Sequence, residues 1–206
     1  MPAHRAPEPM TDVRPADTTG ERRIPLPRPG RGASQRRRGE ILRVDDAGEY
    51  AAVHIYRAQQ AVFAGRKGKE AITADMEEMG RQEQVHLARF NALLNAEGVR
   101  PTVMTPIWRL AALTLGAGTA LISEKAAHAC TEAVEAVIEE HYADQIAEIQ
   151  DHDPALAAEL TVFREEELAH HDHAVEHGSR DAPGYQLLSA VIKAGCKVAI
   201  KVSERV

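Results

Sequence analysis

The sequence lacks a basic excess: 25 lysines and arginines stand against 31 aspartates and glutamates, for a formal charge of −6. A chain so balanced has no surplus to neutralise a phosphate backbone, which excludes nucleic acid as the expected partner. Cysteine is nearly absent. Cys130 and Cys196 cannot build a disulfide framework and read as small buried hydrophobes. No charged-then-apolar leader with a cleavage site opens the chain, so no signal peptide and a reducing compartment are expected. Alternating β-branched runs bounded by turn residues are missing, and no strand is assigned. With no strand and no Gly-x-Gly-x-x-Gly motif, a dinucleotide fold is not expected. Long apolar runs are missing too, since the most apolar stretch, 110–122, falls short of the ~20 residues a membrane span needs.

What the chain does have divides at residue 40. Prolines at positions 2, 7, 9, 15, 25, 27 and 29 lie among many arginines, ending in Arg36-Arg37-Arg38. Such a segment cannot bury enough apolar surface to offset its ordering entropy, and 1–40 is read as a disordered Pro/Arg-rich tail with a solvated arginine run. From residue 41 the periodicity is helical, and residues 41–206 form one all-α domain. Helix-stopping and helix-starting residues predict six helices, at about 42–64, 69–97, 104–121, 124–150, 154–177 and 184–203. Two are unusual. Between Pro101 and Ile122 the only charged residue is Arg109, and the last helix carries Leu187, Leu188, Val191, Ile192 and Val198 beside Lys193, Lys197 and Lys201. An apolar face edged by lysines suits either a helix in a lipid headgroup layer or a bundle helix with a solvated stripe.

Two Glu-x-x-His motifs, Glu83-Gln-Val-His86 and Glu167-Leu-Ala-His170, can each aim a carboxylate and an imidazole from one helix face at a common metal. Either alone is weak. An internal repeat strengthens them: the motifs are 84 residues apart, and each is preceded by a helix carrying a glutamate with a tyrosine seven residues on, Glu49 with Tyr56 and Glu135 with Tyr142. Two copies of helix-with-Glu followed by helix-with-Glu-x-x-His, joined by an apolar crossover helix, give a ferritin-like four-helix bundle with two additional helices, one apolar and one amphipathic. Four carboxylates and two imidazoles, Glu49, Glu83, His86, Glu135, Glu167 and His170, form a hard ligand set. It neutralises two divalent irons and can bridge them, though manganese fits the same ligands. Glu132 and Glu139 compete with Glu135 on that face but lack its tyrosine. With Glu140, Glu165 and Glu166 they are read as solvated. Asp172 is a candidate to orient a ligating imidazole, and His171 and His173 are read as supporting or surface groups.

The stretches Arg43-Val-Asp-Asp-Ala-Gly-Glu-Tyr50, Gln82-Glu-Gln-Val-His-Leu87, Arg100-Pro-Thr-Val103, Leu115-Gly-Ala-Gly-Thr-Ala-Leu121, Ala129-Cys-Thr-Glu-Ala-Val-Glu135 and Glu166-Glu-Leu-Ala-His-His-Asp172 resemble the demethoxyubiquinone hydroxylase family of ubiquinone biosynthesis. Ala194-Gly-Cys-Lys-Val-Ala-Ile200 and Ser203-Glu-Arg205 carry the likeness to the C-terminus. One departure is Asp46, where many members of the family have histidine. The resemblance implies a membrane-associated, carboxylate-bridged di-iron monooxygenase that hydroxylates the ring of demethoxyubiquinol with O2 as co-substrate and an external reductant. The family's ligands fall on the same six residues. Tyr142 and His141 are candidate catalytic groups, with Arg43 a further contact for the quinone oxygens and Leu110, Leu113 and Ile122, with the C-terminal helix, a lining for the isoprenoid tail. A peripheral place on the cytoplasmic face of the cell membrane follows. A lipid-binding auxiliary protein is a family partner elsewhere; whether this chain has one is open, as is whether it forms a homo-oligomer. The rivals are an iron-storage bundle using the same ligands, a purely structural bundle and a di-manganese peroxide-consuming enzyme.

Overall fold

The computed structural model describes residues 31–206, with side chains from residue 34 onward. Six α-helices run α1 (Arg31–Phe63), α2 (Glu70–Glu97), α3 (Thr105–Ile122), α4 (Glu124–Ile149), α5 (Pro154–Glu176) and α6 (Tyr185–Ser203), with no strand among the described residues. Their ends follow the local chemistry. Gly98 takes the left-handed conformation that closes α2, with the Val99 amide donating to the Leu94 carbonyl at 2.9 Å. Ser123 alone separates α3 from α4 and caps the latter by accepting from the Ala126 amide at 3.0 Å. Asp153 caps α5, with Pro154 in the first helical position.

The tail boundary expected at residue 40 falls earlier, because α1 begins at Arg31. The first 30 residues of the expected tail lie outside the described residues. Of the arginine run, Arg36 is solvated but Arg37 and Arg38 are not. Arg37 forks onto Glu148 with two 2.8 Å hydrogen bonds and reaches Glu204 at 3.2 Å, while Arg38 donates to Glu97 at 2.7 Å and pairs with Asp153. These carboxylates sit near the ends of α2 and α4, at the start of α5 and just past α6. The ion pairs supply the packing that the segment's composition does not.

Short loops make α1/α2 and α4/α5 two closely packed hairpins. They face each other across wider seams, α1 against α4 and α2 against α5. The apolar crossover α3 packs on α1 and α6 packs on α4. One apolar core, including Leu42, Phe90, Leu94, Ile149 and Leu160, fills one end of the bundle. A second, including Phe63, Ile72, Met76 and Met79, fills another part. Tyr142 belongs to the first and Tyr56 to the second, each pointing its hydroxyl at a buried carboxylate of the other hairpin.

Gly116 lets α3 approach α1. A Cβ built there would stand 2.4 Å from the Ile55 carbonyl oxygen and 3.0 Å from the Ala58 Cβ, whereas one at Gly118 meets nothing within 4 Å. Gly116→Ala is therefore expected to cost roughly 1–3 kcal/mol in a denaturant melt, with Gly118→Ala unchanged or slightly stabilised. Equal effects at the two glycines would contradict the packing.

Candidate metal centre

The helical phase turns Glu49, Glu83, His86, Glu135, Glu167 and His170 into the seams, where each is at most 4% exposed. Two overlapping quartets result. Ligand atoms of Glu49, Glu83, His86 and Glu167 lie within 4.8 Å of one another, and so do those of Glu83, Glu135, Glu167 and His170. Glu83 and Glu167 belong to both. Two ions are thus offered one terminal carboxylate and one imidazole each, with two carboxylates between them.

His86 Nδ1 stands 3.2 Å from Glu167, 3.5 Å from Glu49 and 3.8 Å from Glu83; His170 Nδ1 stands 3.1 Å from Glu83 and 3.5 Å from Glu167. Both oxygens of Glu83 and of Glu167 are buried without a hydrogen-bond partner, as are His86 Nδ1 and His170 Nδ1. Buried acceptors that converge unpaired are costly in a protein interior. Hard divalent cations would satisfy all of them, so the residues fit a two-metal site.

Electrostatics agree with this. Burial, then the neighbouring charges on Glu167, Glu49 and Glu135, push the Glu83 carboxyl well above the carboxylate range. Glu135 is raised by burial and by Glu167. Burial works against charge on both His86 and Glu167. The Glu167 and Glu49 carboxylates close beside it nevertheless lift the His86 imidazole to about 11, and the nearby His170 and His86 rings hold Glu167 at about 2. Without cations the cluster must share protons, and two divalent ions would replace them.

The repeat is crossed in three dimensions. Tyr56 of the first half donates to Glu135 of the second at 2.6 Å, and Tyr142 donates to Glu49. The imidazoles follow the same rule: His86 Nε2 pairs with Glu166, and His170 Nε2 with Gln82 Oε1 at 2.6 Å. Each partner is the residue just before the other half's motif glutamate. These contacts leave Nδ1 of both rings facing the centre, and Phe163 packs on the His86 ring with centroids 4.2 Å apart.

Several expectations change here. Asp172 does not orient a site imidazole; it contacts His171 Nδ1 at 2.9 Å on the surface. Glu166, read as solvated, supports His86. Glu132 is 3% exposed rather than solvated. Burial opposes its charge, but hydrogen bonds from Ser179, Tyr185 and Arg180 outweigh that and hold its carboxyl below the usual range, fastening the approach to α6 onto α4. Glu139 pairs with Arg164 and Glu140 with Lys197. Asp46 lies outside both quartets, accepting from Asn91 at 2.9 Å. Arg43 is tied to the backbone carbonyls of Arg100 and Glu204, at 3.1 and 3.4 Å.

Against the α1–α4 seam lies a cavity of about 630 Å³, open to the surface on one side and bordered by α1, α3, α4 and α6. Its lining is almost wholly apolar, including Ile55, Ala112, Leu115, Val134, Ile138 and Ile192. Gly48 and Val134, each adjacent in sequence to a terminal glutamate of the centre, also border it. His141 is its one imidazole, with Nε2 accepting from Gln145 at 2.9 Å and standing 3.5 Å from Asp45. Leu110, Leu113 and Ile122 do not line it. Leu110 and Ile122 instead point outward, 68% and 58% exposed, with Ile107, Leu121 and Leu187. No helix among the described residues is long and apolar enough to cross a membrane.

Residues 36–203 match the family described as ubiquinone biosynthesis protein COQ7. The chain is 48% identical over 166 residues to the 3-demethoxyubiquinol 3-hydroxylase of Rhodospirillum rubrum, covering 81% of this chain and 77% of that protein. It is 47% identical over 169 residues to the NADPH-dependent 3-demethoxyubiquinone 3-hydroxylase, mitochondrial, of Bos taurus, covering 80% and 76%. To the 5-demethoxyubiquinone hydroxylase, mitochondrial, of Saccharomyces cerevisiae it is 38% identical over 181 residues, covering 81% and 77%.

Proposed function

The chain belongs to the COQ7 family of ubiquinone biosynthesis proteins, and from that premise we propose that it is a di-iron monooxygenase that hydroxylates the ring of demethoxyubiquinol with O2. The observation that carries the reading is the pairing of two carboxylate-bridged quartets with an apolar cavity on the same seam. Iron storage needs no such cavity, and a structural bundle would not bury four glutamates around unpartnered oxygens.

Glu49, Glu83, His86, Glu135, Glu167 and His170 would hold two irons, which would supply O2 activation, one oxygen atom entering the ring and the other leaving as water with two electrons from an external reductant and two protons from solvent. The chain's own residues do the rest. Tyr56 and Tyr142 fix the terminal glutamates Glu135 and Glu49 by hydrogen bonds, so that a carboxylate oxygen remains for the metal. Glu166 and Gln82 hold the imidazoles in the tautomer that presents Nδ1. The cavity excludes water and takes the quinol ring with the first part of its tail. His141 is placed to hydrogen-bond a ring oxygen, its own orientation set by Gln145. Tyr142 is a positioning residue through Glu49.

The outward apolar residues of α3 and α6, with Lys193, Lys197 and Lys201, support a peripheral seat on the cytoplasmic face of the cell membrane, from which a long-tailed quinol enters the cavity. The cattle relative is named as NADPH-dependent. With no strand among the described residues, a nicotinamide donor would bind here without a dinucleotide fold. A lipid-binding auxiliary protein and a second copy of the chain are further partners this surface admits.

The test is a single turnover: iron-loaded, anaerobically reduced protein with demethoxyubiquinol, exposed to labelled O2. One labelled oxygen in the product is expected, and iron oxidation without product would overturn the substrate assignment. The cavity is tested by Gly195→Phe, because a Cβ there meets nothing within 4 Å and the ring would project into lining space. A tenfold or greater loss of kcat/KM, about 1.4 kcal/mol, is expected with unchanged iron content. Full activity would remove the cavity from the reaction path.

A further inference from the structure

A second group of metal-ligating side chains lies away from the centre already described. Asp75 of α2 and His173 and His177 of α5 bring one ligand atom each within 4.8 Å of one another, and none of them belongs to the two quartets. The His173 and His177 rings stack at 4.0 Å. His128 of α4 stacks on His177 at 5.2 Å and stands 6.0 Å from His173.

The lone pairs are available. His177 Nδ1 is 2.8 Å from the His173 carbonyl oxygen, which can only accept, so that nitrogen carries the proton and Nε2 is left free. His173 Nε2 is 3.3 Å from Asp75 Oδ2 yet makes no hydrogen bond to it, a geometry with room for an ion beside both. His128 is 3% exposed, and its Nδ1 has no partner. His177 is solvent-exposed while Asp75 and His173 are half-buried, giving an ion a short way in.

We propose that Asp75, His173 and His177, with His128 as the adjoining fourth group, form a second metal site that binds one divalent transition ion of the imidazole-preferring kind, represented by zinc. Two imidazoles and one carboxylate, with a third imidazole adjoining, are a poor set for magnesium or calcium, which demand oxygen, and a good one for a zinc ion that completes its coordination with water. Two histidines four apart on one helix place both rings on one face, and the carboxylate comes from the opposite hairpin. A bound ion would therefore tie α2 to α5 across the seam between the hairpins, beside His128 of α4. The site is independent of the hydroxylase reading.

Full-length, iron-loaded protein is titrated with zinc chloride against a chromophoric chelator, with zinc and iron counted by elemental analysis after buffer exchange. One zinc per chain, taken up without release of iron, is expected. His173→Gln with His177→Gln should weaken that uptake by about a hundredfold or more and leave the iron unchanged. The single variant His177→Gln, at an exposed position, should weaken it in the same direction if the double variant folds poorly. Cobalt in place of zinc should give visible absorption that the variants lose. No zinc beyond the iron, zinc uptake matched by iron release, or undiminished uptake by a folded variant would each overturn the site.

Discussion

Glu83→Gln is expected to abolish hydroxylation while making the metal-free protein more stable. The side chain is fully buried, both its oxygens lack partners, and it faces Glu49, Glu135 and Glu167. The amide keeps the shape and needs no proton, so folding without metal at neutral pH no longer has to take one up at this buried carboxyl. The same change takes a bridging ligand from both quartets. Altering residues that only orient metal ligands commonly costs 10–100-fold in affinity, so loss of a shared ligand should exceed about a hundredfold and leave less than one iron per chain. Paired thermal melts read both effects. The metal-free Tm should rise relative to the parent, and the further rise on adding ferrous iron without oxygen should vanish. Normal iron content with normal turnover would remove Glu83 from the centre.

The clustering of the six residues and the bundle are legible because both depend on local spacing. A Glu-x-x-His pair shares a helix face wherever the helix lies, and the repeat at 84 and 86 residues placed the two faces in equivalent helices. Partners that join the two hairpins are not. Glu166 and Gln82 lie 80 and 88 residues from the imidazoles they hold, and Asp172 looked the better candidate because it is near in sequence. A trace was present: each motif glutamate is preceded by a long polar residue, at the same spacing of 84. The tyrosine repeat was visible, but not that each hydroxyl crosses to the other half. Composition failed where arginines are folded by ion pairs, as at Arg37 and Arg38, and where a buried acid is satisfied from afar, as Glu132 is by Ser179, Arg180 and Tyr185. The C-terminal helix does line the cavity, but the α3 part of the lining is misplaced because apolar residues on α3 divide between an inner face, Ala112 and Leu115, and an outer one, Leu110 and Ile122. Hydrophobicity alone cannot tell those faces apart when both are apolar.

Stability of the metal-free protein is expected to fall between about pH 7 and pH 9, and metal loading is expected to cancel that fall. Glu83 and Glu135 have folded-state values raised well above those of the unfolded chain, so the stability tied to their protons is complete at low pH and lost as pH rises through the folded values. His86 acts in the same direction. It is raised to about 11 from 6.5, so its contribution is full below 6.5 and drains away as pH climbs toward 11. Glu167, held at about 2, contributes above its unfolded value and loses that only in acid, so it is flat across the window. His128, at about 4, changes only below 6.5 and is flat as well. Each proton the fold retains and the unfolded chain has released costs about 1.4 kcal/mol per pH unit. One such proton over two units should lower Tm by roughly 5–10 °C in a domain of this size. Divalent ions displace those protons, so the metal-loaded protein should melt at nearly constant temperature over the same range, and the gap between the two curves should widen with pH. For the same reason metal affinity should weaken toward acid. Differential scanning calorimetry at pH 7, 8 and 9, with and without ferrous iron under anaerobic conditions, measures both curves. A metal-free Tm that rises with pH would show that the buried carboxylates are charged and satisfied by the protein alone, and the case for a cation centre built on them would fail.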